Sequence, residues 1–326
     1  MVTFKLPRRL KYFRALYYLR RAIKLPAIEV ASTNFDAEVH MLVGKYHLYA
    51  AVAALKSFFL HSGLAPRVGV TFHFDPSMRP RHERLLRRHF PGADCLYFGK
   101  RDARLDTILN DRPFCRGLYD NHPLAPKLFR VPALCRSNRV ILLDTDTLFY
   151  RRPDAIVDWV VGGSDTPMYL DEKPGVAPHR ALQLAYEALS QQMGFNCEQF
   201  CYFNSGLLLF QPERIDYDLI ERFLKFQAEQ PNIHTGGWCI EQTAYMLNYV
   251  RWNDKIRFDT SDYACGTDPG QVFSHFLGSN YYEGRTLAWI RTNLRAFTAF
   301  KNNGLALTEK TNKIGIVVGK EKPDYV

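Results

Sequence analysis

The sequence lacks any long hydrophobic run, because nowhere among its 326 residues do about 18 uncharged apolar residues follow one another. Its first residues carry Arg and Lys without the apolar stretch that a secretory signal peptide requires. We therefore expect neither a membrane-spanning helix nor secretion, and we predict a cytoplasmic protein.

Paired cysteines and nucleic-acid motifs are also missing. The seven cysteines are scattered, and the closest pair, Cys197 and Cys201, lacks the spacing and the second pair that a zinc site needs. No zinc finger or RNP-like motif occurs. We expect reduced thiols and no nucleic-acid partner.

What the chain does have is apolar residues, at 47% of the sequence, enough to bury a large core. We predict one α/β domain over residues 31–302. Residues 303–326 are rich in Lys and Gly and are predicted to be a carboxy-terminal tail, with 314–318 a candidate added strand.

The formal charge of +10 is concentrated at the amino end. Eight bases precede the first acidic residue, Glu29: Lys5, Arg8, Arg9, Lys11, Arg14, Arg20, Arg21 and Lys24. Apolar residues are interleaved with them, so residues 1–30 are predicted to form a basic amphipathic segment. Such a segment attracts phosphates of any kind. We expect residues 1–24 to bind an anionic membrane surface, which would place the protein peripherally at the inner face.

From about residue 38, short apolar runs alternate with longer helical stretches, as in βαβ units with a largely parallel sheet. The predicted strands are residues 39–43, 68–74, 95–98, 140–143, 168–170, 207–210 and 272–276. The predicted helices are residues 47–60, 80–89, 128–135, 180–193, 215–227 and 241–249. The fold class is therefore α/β, with a central, mostly parallel mixed sheet flanked by helices.

The strongest chemical signal follows the apolar run of residues 140–143, which ends in Asp144 and Asp146. Ligands of open α/β sheets bind beyond the carboxyl ends of the strands, where these carboxylates are expected. Two carboxylates at this spacing can share a hard divalent cation that also binds a diphosphate. A second pair, Asp216 and Asp218, opens an amphipathic helix and is predicted to complement the helix dipole.

The order of five motifs resembles the GT-A glycosyltransferases, and within them the family-eight glycogenin-like and bacterial lipopolysaccharide glucosyl- and galactosyltransferases. The motifs are Leu143-Asp144-Thr145-Asp146, a strand over 168–171, Phe203-Asn204-Ser205-Gly206, Glu241-Gln242, and His275-Phe276-Leu277-Gly278. The resemblance implies a GT-A (Rossmann-like) domain and a nucleotide-diphosphate-sugar donor, with UDP-sugar favoured. It also implies Mn²⁺ or Mg²⁺ and retention of anomeric configuration.

The same resemblance implies roles for individual residues. His275 would be the third metal ligand beside Asp144 and Asp146, although from the sequence alone a packed core histidine is the more common case. The donor would contact Thr145, Asn204, Ser205, Gly206, Gly278 and Arg285. Gln242, Glu241 and Asp171 would surround the reacting centre. Two departures stand out: the family's Lys after the last motif is replaced by the later Arg285, and its Asp-Gln-Asp reads Glu241-Gln242-Thr243.

Further donor contacts are predicted near the amino end of the domain. Val43, Gly44, Lys45 and Tyr46 close the first strand, where GT-A enzymes receive the nucleotide base, and Asp75 ends the second strand. An ordinary turn between a strand and a helix, with no role in binding, would give the same sequence pattern. Lys127 is a candidate for the donor phosphates, with Arg130 nearby, although solvated surface bases are the safer expectation for both.

The acceptor, a glycan, lipid or protein, cannot be read from the sequence. Two other functions remain open: a sugar-phosphate nucleotidyltransferase, and a non-catalytic membrane- or polysaccharide-binding protein with a degenerate transferase fold. The first lacks the Arg-containing glycine-rich loop expected after strand one, and the intact motifs oppose the second.

Overall fold

The structure, a computed structural model, describes residues 20–99, 102–171, 180–197, 200, 202–230, 239–265 and 271–276. The predictions for residues 1–19, for Gly278 and Arg285, and for the tail lie outside the described residues.

Ten strands and nine helices occur in these ranges. The strands are β1 Ala37–Val43, β2 Val68–Phe74, β3 Asp94–Leu96, β4 Val140–Leu143, β5 Thr147–Phe149, β6 Met168–Asp171, β7 Phe203–Phe210, β8 Ile256–Arg257, β9 Tyr263–Cys265 and β10 Phe273–His275. The helices are α1 Leu48–Ser62, α2 Pro80–His89, α3 Ala103–Leu109, α4 Pro113–Asn121, α5 Ala125–Leu134, α6 Asp154–Val161, α7 Arg180–Met193, α8 Tyr217–Glu229 and α9 Ile240–Arg251. A 3₁₀ turn, Arg20–Lys24, precedes β1. None of the described helices has the length and apolarity to cross a bilayer.

Seven strands form the central sheet in the order β3-β2-β1-β4-β7-β6-β8. The first four are mutually parallel, whereas β7 runs antiparallel to both β4 and β6. The prediction of a mostly parallel mixed α/β sheet is confirmed. The chain builds outward from β1 to β3 and then returns to the other side of β1 with β4. This reversal is the topological switch point at which open sheets bind ligands.

A second sheet has the order β5-β10-β9. Its β10 pairs antiparallel with β5, so that His275 lies opposite Thr147. Because Thr147 directly follows Asp146, this short pairing brings the last predicted motif beside the first.

Several boundaries differ from the prediction. The strand predicted over 207–210 starts earlier, at Phe203, so that Asn204, Ser205 and Gly206 are part of β7. Helix α5 begins at Ala125 rather than at residue 128, because Pro126 in its first turn needs no N–H donor there. Helices α3, α4 and α6 were not predicted.

Buried apolar residues pack on both faces of the sheet. In β7, Leu207 and Leu209 join the cluster that contains α1, while Leu208 and Phe210 join the cluster that contains α5, α8 and α9. This alternation explains the continuous apolar run of the strand, since a strand buried on both faces needs no polar residue.

Strand β1 instead carries a buried polar network on one face. The carboxylate of Glu38 accepts hydrogen bonds from Thr71 Oγ1 at 2.5 Å and from Arg136 N at 2.7 Å, and lies 3.3 Å from His40 Nε2. His40 Nδ1 lies 2.9 Å from His73 Nε2. Burial opposes ionisation of Glu38, but His40, Thr71 and Arg136 outweigh it and hold the pKa of Glu38 well below its usual value.

We predict that Glu38→Gln lowers the free energy of unfolding by about 3 kcal/mol at pH 7, because it breaks a buried charged network. A depressed folded-state pKa contributes stability above the unfolded pKa that is lost as pH falls. The difference from wild type should therefore shrink below about pH 4.5. Denaturant titrations at several pH values measure it. Exposed Glu229→Gln should change stability by less than about 0.5 kcal/mol, and an equal effect of both substitutions would refute the network's role.

Candidate functional site

The site lies at the switch point, where the carboxyl ends of β1 and β4 are adjacent. Strand β1 pairs with β4 so that His40 lies opposite Leu142. Continued along both strands, this register brings Gly44 beside the segment that contains Asp144 and Asp146. The two predicted parts of the site therefore border the same crevice.

Backbone hydrogen bonds hold the Asp-x-Asp segment on both sides. Asp144 N–H donates to Gly206 O at 2.9 Å, and Phe276 N–H donates to Asp146 O at 2.9 Å. Thr147 Oγ1 donates to Asp144 O at 2.8 Å. The side chain of the intervening Thr145 is buried. The carboxylates remain partly open to solvent, with side chains 26% exposed at Asp144 and 19% at Asp146.

His275 completes a candidate metal site. Its Nε2 lies 3.2 Å from Asp146 Oδ1 and 3.7 Å from Asp144 Oδ2. One ligand atom from each of the three residues lies within 4.8 Å of the other two. Bonds of about 2.1 Å in octahedral geometry place neighbouring ligand atoms about 3 Å apart. Two carboxylates and an imidazole suit Mn²⁺ better than Mg²⁺, which prefers oxygen ligands. The residues fit a divalent cation.

The electrostatics of His275 support the same conclusion. Burial alone would lower the pKa of its imidazole, but the carboxylate of Asp146 and its hydrogen bond raise the pKa of His275 well above the usual value. The carboxylates of Asp144 and Asp146 thus stabilise a positive charge at His275 Nε2. A proton supplies that charge in the absence of a cation.

Asn204 fixes the orientation of the His275 ring. Asn204 Oδ1 accepts the backbone N–H of Gly206 at 2.8 Å and lies 2.9 Å from His275 Nδ1. Since Gly206 N–H can only donate, the atom facing both groups is the amide oxygen, and Nδ1 must carry a hydrogen. This tautomer leaves Nε2 free to bind a cation on the side of the two aspartates.

Gly206 is required by this packing. A Cβ added to Gly206 would overlap the His275 ring atoms Nδ1, Cε1 and Cγ. Gly206, a predicted donor contact, thus allows the close approach of a protein side chain, the imidazole of His275.

A buried ammonium group lies on the other side of Asp144. Lys127 Nζ is 2.9 Å from Asp144 Oδ1, 3.3 Å from Glu241 Oε1 and 3.3 Å from Ser205 Oγ, and its side chain is only 3% exposed. Arg130 is also buried. The expectation of solvated surface bases at these two positions is therefore wrong. The reason is that α5 packs inward along its whole length, with every residue buried.

Glu241 belongs to the same cluster. Burial raises the pKa of Glu241 to about 7, and the attraction of Lys127 offsets only part of this shift. Burial would lower the pKa of Lys127, but Asp144 and Glu241 together raise it, so the ammonium stays charged. Ser205 donates from Oγ to Glu241 Oε2 at 3.2 Å and from N to Gln242 Oε1 at 3.3 Å. The structure thus joins Lys127, Ser205, Glu241 and Gln242 to the Asp-x-Asp.

The predicted base-binding residues surround the end of β1. The Asp75 carboxylate lies so close to Gly44 that any side chain at Gly44 would overlap it. Lys45 N–H donates to Ser77 Oγ at 3.0 Å, and Ser77 N–H donates to Asp75 Oδ1 at 2.7 Å. Tyr46 is 63% exposed, and the Lys45 ammonium lies 4.6 Å from its ring centroid. An open aromatic ring is thus available for stacking beside Val43.

Asp171 ends β6 one residue beyond Leu170, which pairs with Asn204. Its Oδ2 accepts a hydrogen bond from Arg257 Nη1 at 3.3 Å. The backbone of Asp171 pairs with Phe203 of β7 on one side. Its carboxylate is instead bound by Arg257 of β8, the edge strand on the other side of β6.

Three site residues were not found from the sequence. Tyr245 OH donates to Lys127 O at 2.7 Å and so holds the first turn of α5. Ser77 links Lys45 to Asp75, and the local Asp-x-Ser pattern could have revealed it. Cys265 Sγ lies 3.9 Å from His275 Nδ1, a long-range contact that leaves no local signal.

Comparisons with known proteins define the class of fold. Neither a protein-family profile nor a curated protein sequence matches the chain. Among solved structures, mouse xyloside xylosyltransferase 1 is similar at a TM-score of 0.50 and 15% identity, covering 77% of this chain and 98% of that one. The chain therefore has the GT-A glycosyltransferase fold.

Two further glycosyltransferases resemble it more loosely. The galactosyltransferase LgtC, solved with donor and acceptor sugar analogues, has a TM-score of 0.49 and 14% identity, over 84% of this chain and 98% of that one. The mannosyltransferase Ktr4p of S. cerevisiae has a TM-score of 0.46 and 10% identity, over 89% and 93%.

We predict that Asn204→Ala weakens Mn²⁺ binding about 10- to 100-fold, because the His275 ring loses the acceptor that orients it. Titration calorimetry measures the affinity, and ¹⁵N NMR of the imidazole reports its tautomer. Asn204→Asp keeps the acceptor and should restore the Nδ1–H signal.

The matched control is Asn248→Ala. Asn248 is an equally buried asparagine that bonds to Asp216 N and Ala244 O. Its loss should lower the melting temperature without changing Mn²⁺ affinity. Equal Mn²⁺ affinity in Asn204→Ala and wild type would contradict the assignment of Asn204.

Proposed function

We propose that the protein is a metal-dependent glycosyltransferase that moves a sugar from a nucleotide-diphosphate donor to an acceptor. The observation that carries the proposal is the convergence of Asp144, Asp146 and His275 at the switch point of a GT-A fold. Lys127 and Glu241 form a buried pair beside Asp144, on the side where we propose that the donor sugar binds.

Asp144, Asp146 and His275 would hold Mn²⁺ or Mg²⁺. When bound, the cation neutralises charge on the leaving diphosphate as a Lewis acid. Lys127 is too deeply buried to reach out as a solvent-exposed phosphate ligand. It instead holds the Asp144 carboxylate in place through an ion pair at 2.9 Å, and adds a fixed positive charge beside the crevice.

On the sugar side, the hydroxyls of the donor would meet the groups that Ser205 organises. Gln242 Oε1 accepts a hydrogen bond from Ser205 N–H. The Gln242 side chain is only partly buried, so its amide can face the donor. Glu241 is fully buried behind that amide, where it holds Ser205 and Lys127 in place. Asp171 is the further candidate carboxylate, and Asn204 and Gly206 act through His275. We infer retention of configuration from the resemblance to the family-eight glycosyltransferases.

The nucleotide base would lie over the end of β1, between Val43, Gly44 and Tyr46, with UDP favoured as the nucleotide. Gly278 and Arg285 are proposed to contact the donor phosphates. Thr145, between the two aspartates in the sequence, is a further proposed donor contact. We further propose that the protein works in the cytoplasm at the inner face of a membrane, to which residues 1–24 bind, on a glycan, lipid or protein acceptor.

A sugar-phosphate nucleotidyltransferase would use similar carboxylates. It would release diphosphate from a nucleoside triphosphate, and the glycosyltransferase would release a nucleoside diphosphate from a nucleotide sugar. A panel of nucleotide sugars and triphosphates incubated with Mn²⁺ separates these activities. A degenerate, non-catalytic protein would turn over neither.

We predict that UDP binding requires Mn²⁺ and that Asp146→Ala abolishes this requirement while leaving the fold intact. Calorimetry with Mn²⁺ and with chelator measures the difference. The chain supplies its own control in the second Asp-x-Asp. There Asp216 caps α8 and Asp218 pairs with Arg112, and Asp218→Ala should keep full Mn²⁺ dependence. Equal UDP affinity of the wild type with metal and with chelator would defeat the proposal.

We also predict that Gln242→Ala lowers kcat for donor hydrolysis at least about 100-fold, because a polar group that positions the sugar is lost. UDP affinity in the presence of Mn²⁺ should be unchanged, since UDP has no sugar to contact. Steady-state kinetics and calorimetry on one sample test both. Weaker UDP binding with unchanged kcat would show that Gln242 serves the nucleotide instead.

A further inference from the structure

Helix α2 has an arginine-rich outer face. Arg81, Arg84 and Arg88 follow the i, i+3, i+7 spacing that lies on one side of a helix. All three are exposed, whereas Leu86 and His89 on the opposite side are buried. No carboxylate of the described residues forms an ion pair with these three guanidinium groups. We name Arg81, Arg84 and Arg88 the arginine face.

The 3₁₀ turn Arg20–Lys24 packs against α1, and the segment that follows the turn reaches the carboxyl end of α2. Ile28 N–H donates to His89 O at 2.9 Å. Lys56 of α1 also donates to Leu25 O at 2.7 Å and contacts His89 Nδ1 at 3.1 Å. Near the amino end of α1, the Arg20 guanidinium lies 5.4 Å from the Tyr49 ring centroid. The exposed Arg20 and Lys24 thus lie against α1, the helix that contacts α2, and add two bases to this side of the protein.

The nearby acids offset little of this charge. Glu83 is already paired with Arg87 at 2.8 Å and accepts a hydrogen bond from Tyr97 OH at 2.9 Å. Glu29 is exposed on the segment that leads to β1. Five bases with so few carboxylates form a surface complementary to a polyanion.

The amino-acid sequence before Arg20 indicates which kind of polyanion this surface binds. The residues before Arg20 alternate bases with large apolar side chains, among them Phe4, Leu10, Phe13, Leu16 and Leu19. A soluble polyanion has no place for these side chains, whereas the boundary between headgroups and acyl chains accommodates both kinds. We propose that the arginine face, with Arg20 and Lys24, is a docking surface for an anionic lipid bilayer.

This surface starts beside the donor crevice. Helix α2 begins one residue after Arg79, and the loop that precedes it contains Asp75 and Ser77, which hold Lys45. Docking through the arginine face therefore brings the mouth of the crevice close to the bilayer. An acceptor presented at that bilayer would be within reach of the site.

The test uses the full chain and vesicles of phosphatidylglycerol and phosphatidylcholine, with cosedimentation as the readout. Arg81→Gln, Arg84→Gln and Arg88→Gln combined should weaken binding about 100-fold at low salt, since each base near such a surface contributes about a factor of five. Pure phosphatidylcholine should bind neither protein, and added salt should weaken the wild type.

The matched control removes the same charge from the opposite side of the sheet. Arg104 on α3 and Arg222 and Lys225 on α8 are exposed on helices whose buried residues join the other core cluster. Their triple Gln variant should lose at most about twofold. Equal losses in the two variants would show a net-charge effect and overturn the proposal, as would unchanged binding of the arginine-face variant.

Two further readouts complete the test. The melting temperature should be unchanged in both variants, because the substituted residues are exposed. Mn²⁺-dependent hydrolysis of nucleotide sugars without vesicles should also be unchanged, so that failure of the proposed enzymatic function leaves the vesicle result interpretable. If the arginine-face variant lost binding to soluble polyphosphate but kept binding to vesicles, the occupant would be a polymer and the lipid assignment would be wrong.

Discussion

The arrangement of the site depends on the neutralisation of one buried ammonium group. Lys127 sits at the start of α5 with almost no access to water, and an uncompensated buried charge costs several kcal/mol. Asp144 at the end of β4 and Glu241 at the start of α9 supply the compensation. Because each of these carboxylates is fixed to its own element, the pairing holds helix α5, the Asp-x-Asp strand and α9 in one relative position.

Much of the sheet could be predicted from local pattern, and its exceptions have physical causes. Strand β4 was predicted with its observed bounds, because a short apolar run ends abruptly in charged residues. The start of β7 was missed because Asn204, Ser205 and Gly206 have low strand propensity. Pairing with β6, and the hydrogen bond from Asp144 N–H to Gly206 O, override that preference. Local pattern carries no information about such cross-strand partners.

The site shows the same division. The cluster of Asp144, Asp146 and His275 was expected from the order of the motifs, and the structure brings the three together. The orienting role of Asn204 and the burial of Lys127 were not expected. Both depend on which distant residue each side chain meets, and that is settled by the packing of α5 and the register of β10 against β5.

Asp144 and Asp146 have different surroundings, although they form one motif in the sequence. Both Asp144 carboxylate oxygens lie near Lys127 Nζ, Oδ1 at 2.9 Å and Oδ2 at 3.2 Å, and Oδ2 also lies 3.7 Å from His275 Nε2. Asp146 Oδ1 faces His275 Nε2, at 3.2 Å. Removing the Asp144 carboxylate would strip the buried ammonium of a partner and so disturb folding as well as metal binding. Removing that of Asp146 leaves the lysine cluster whole. Asp144 therefore belongs both to the candidate metal group and to the cluster around Lys127, and it links the two.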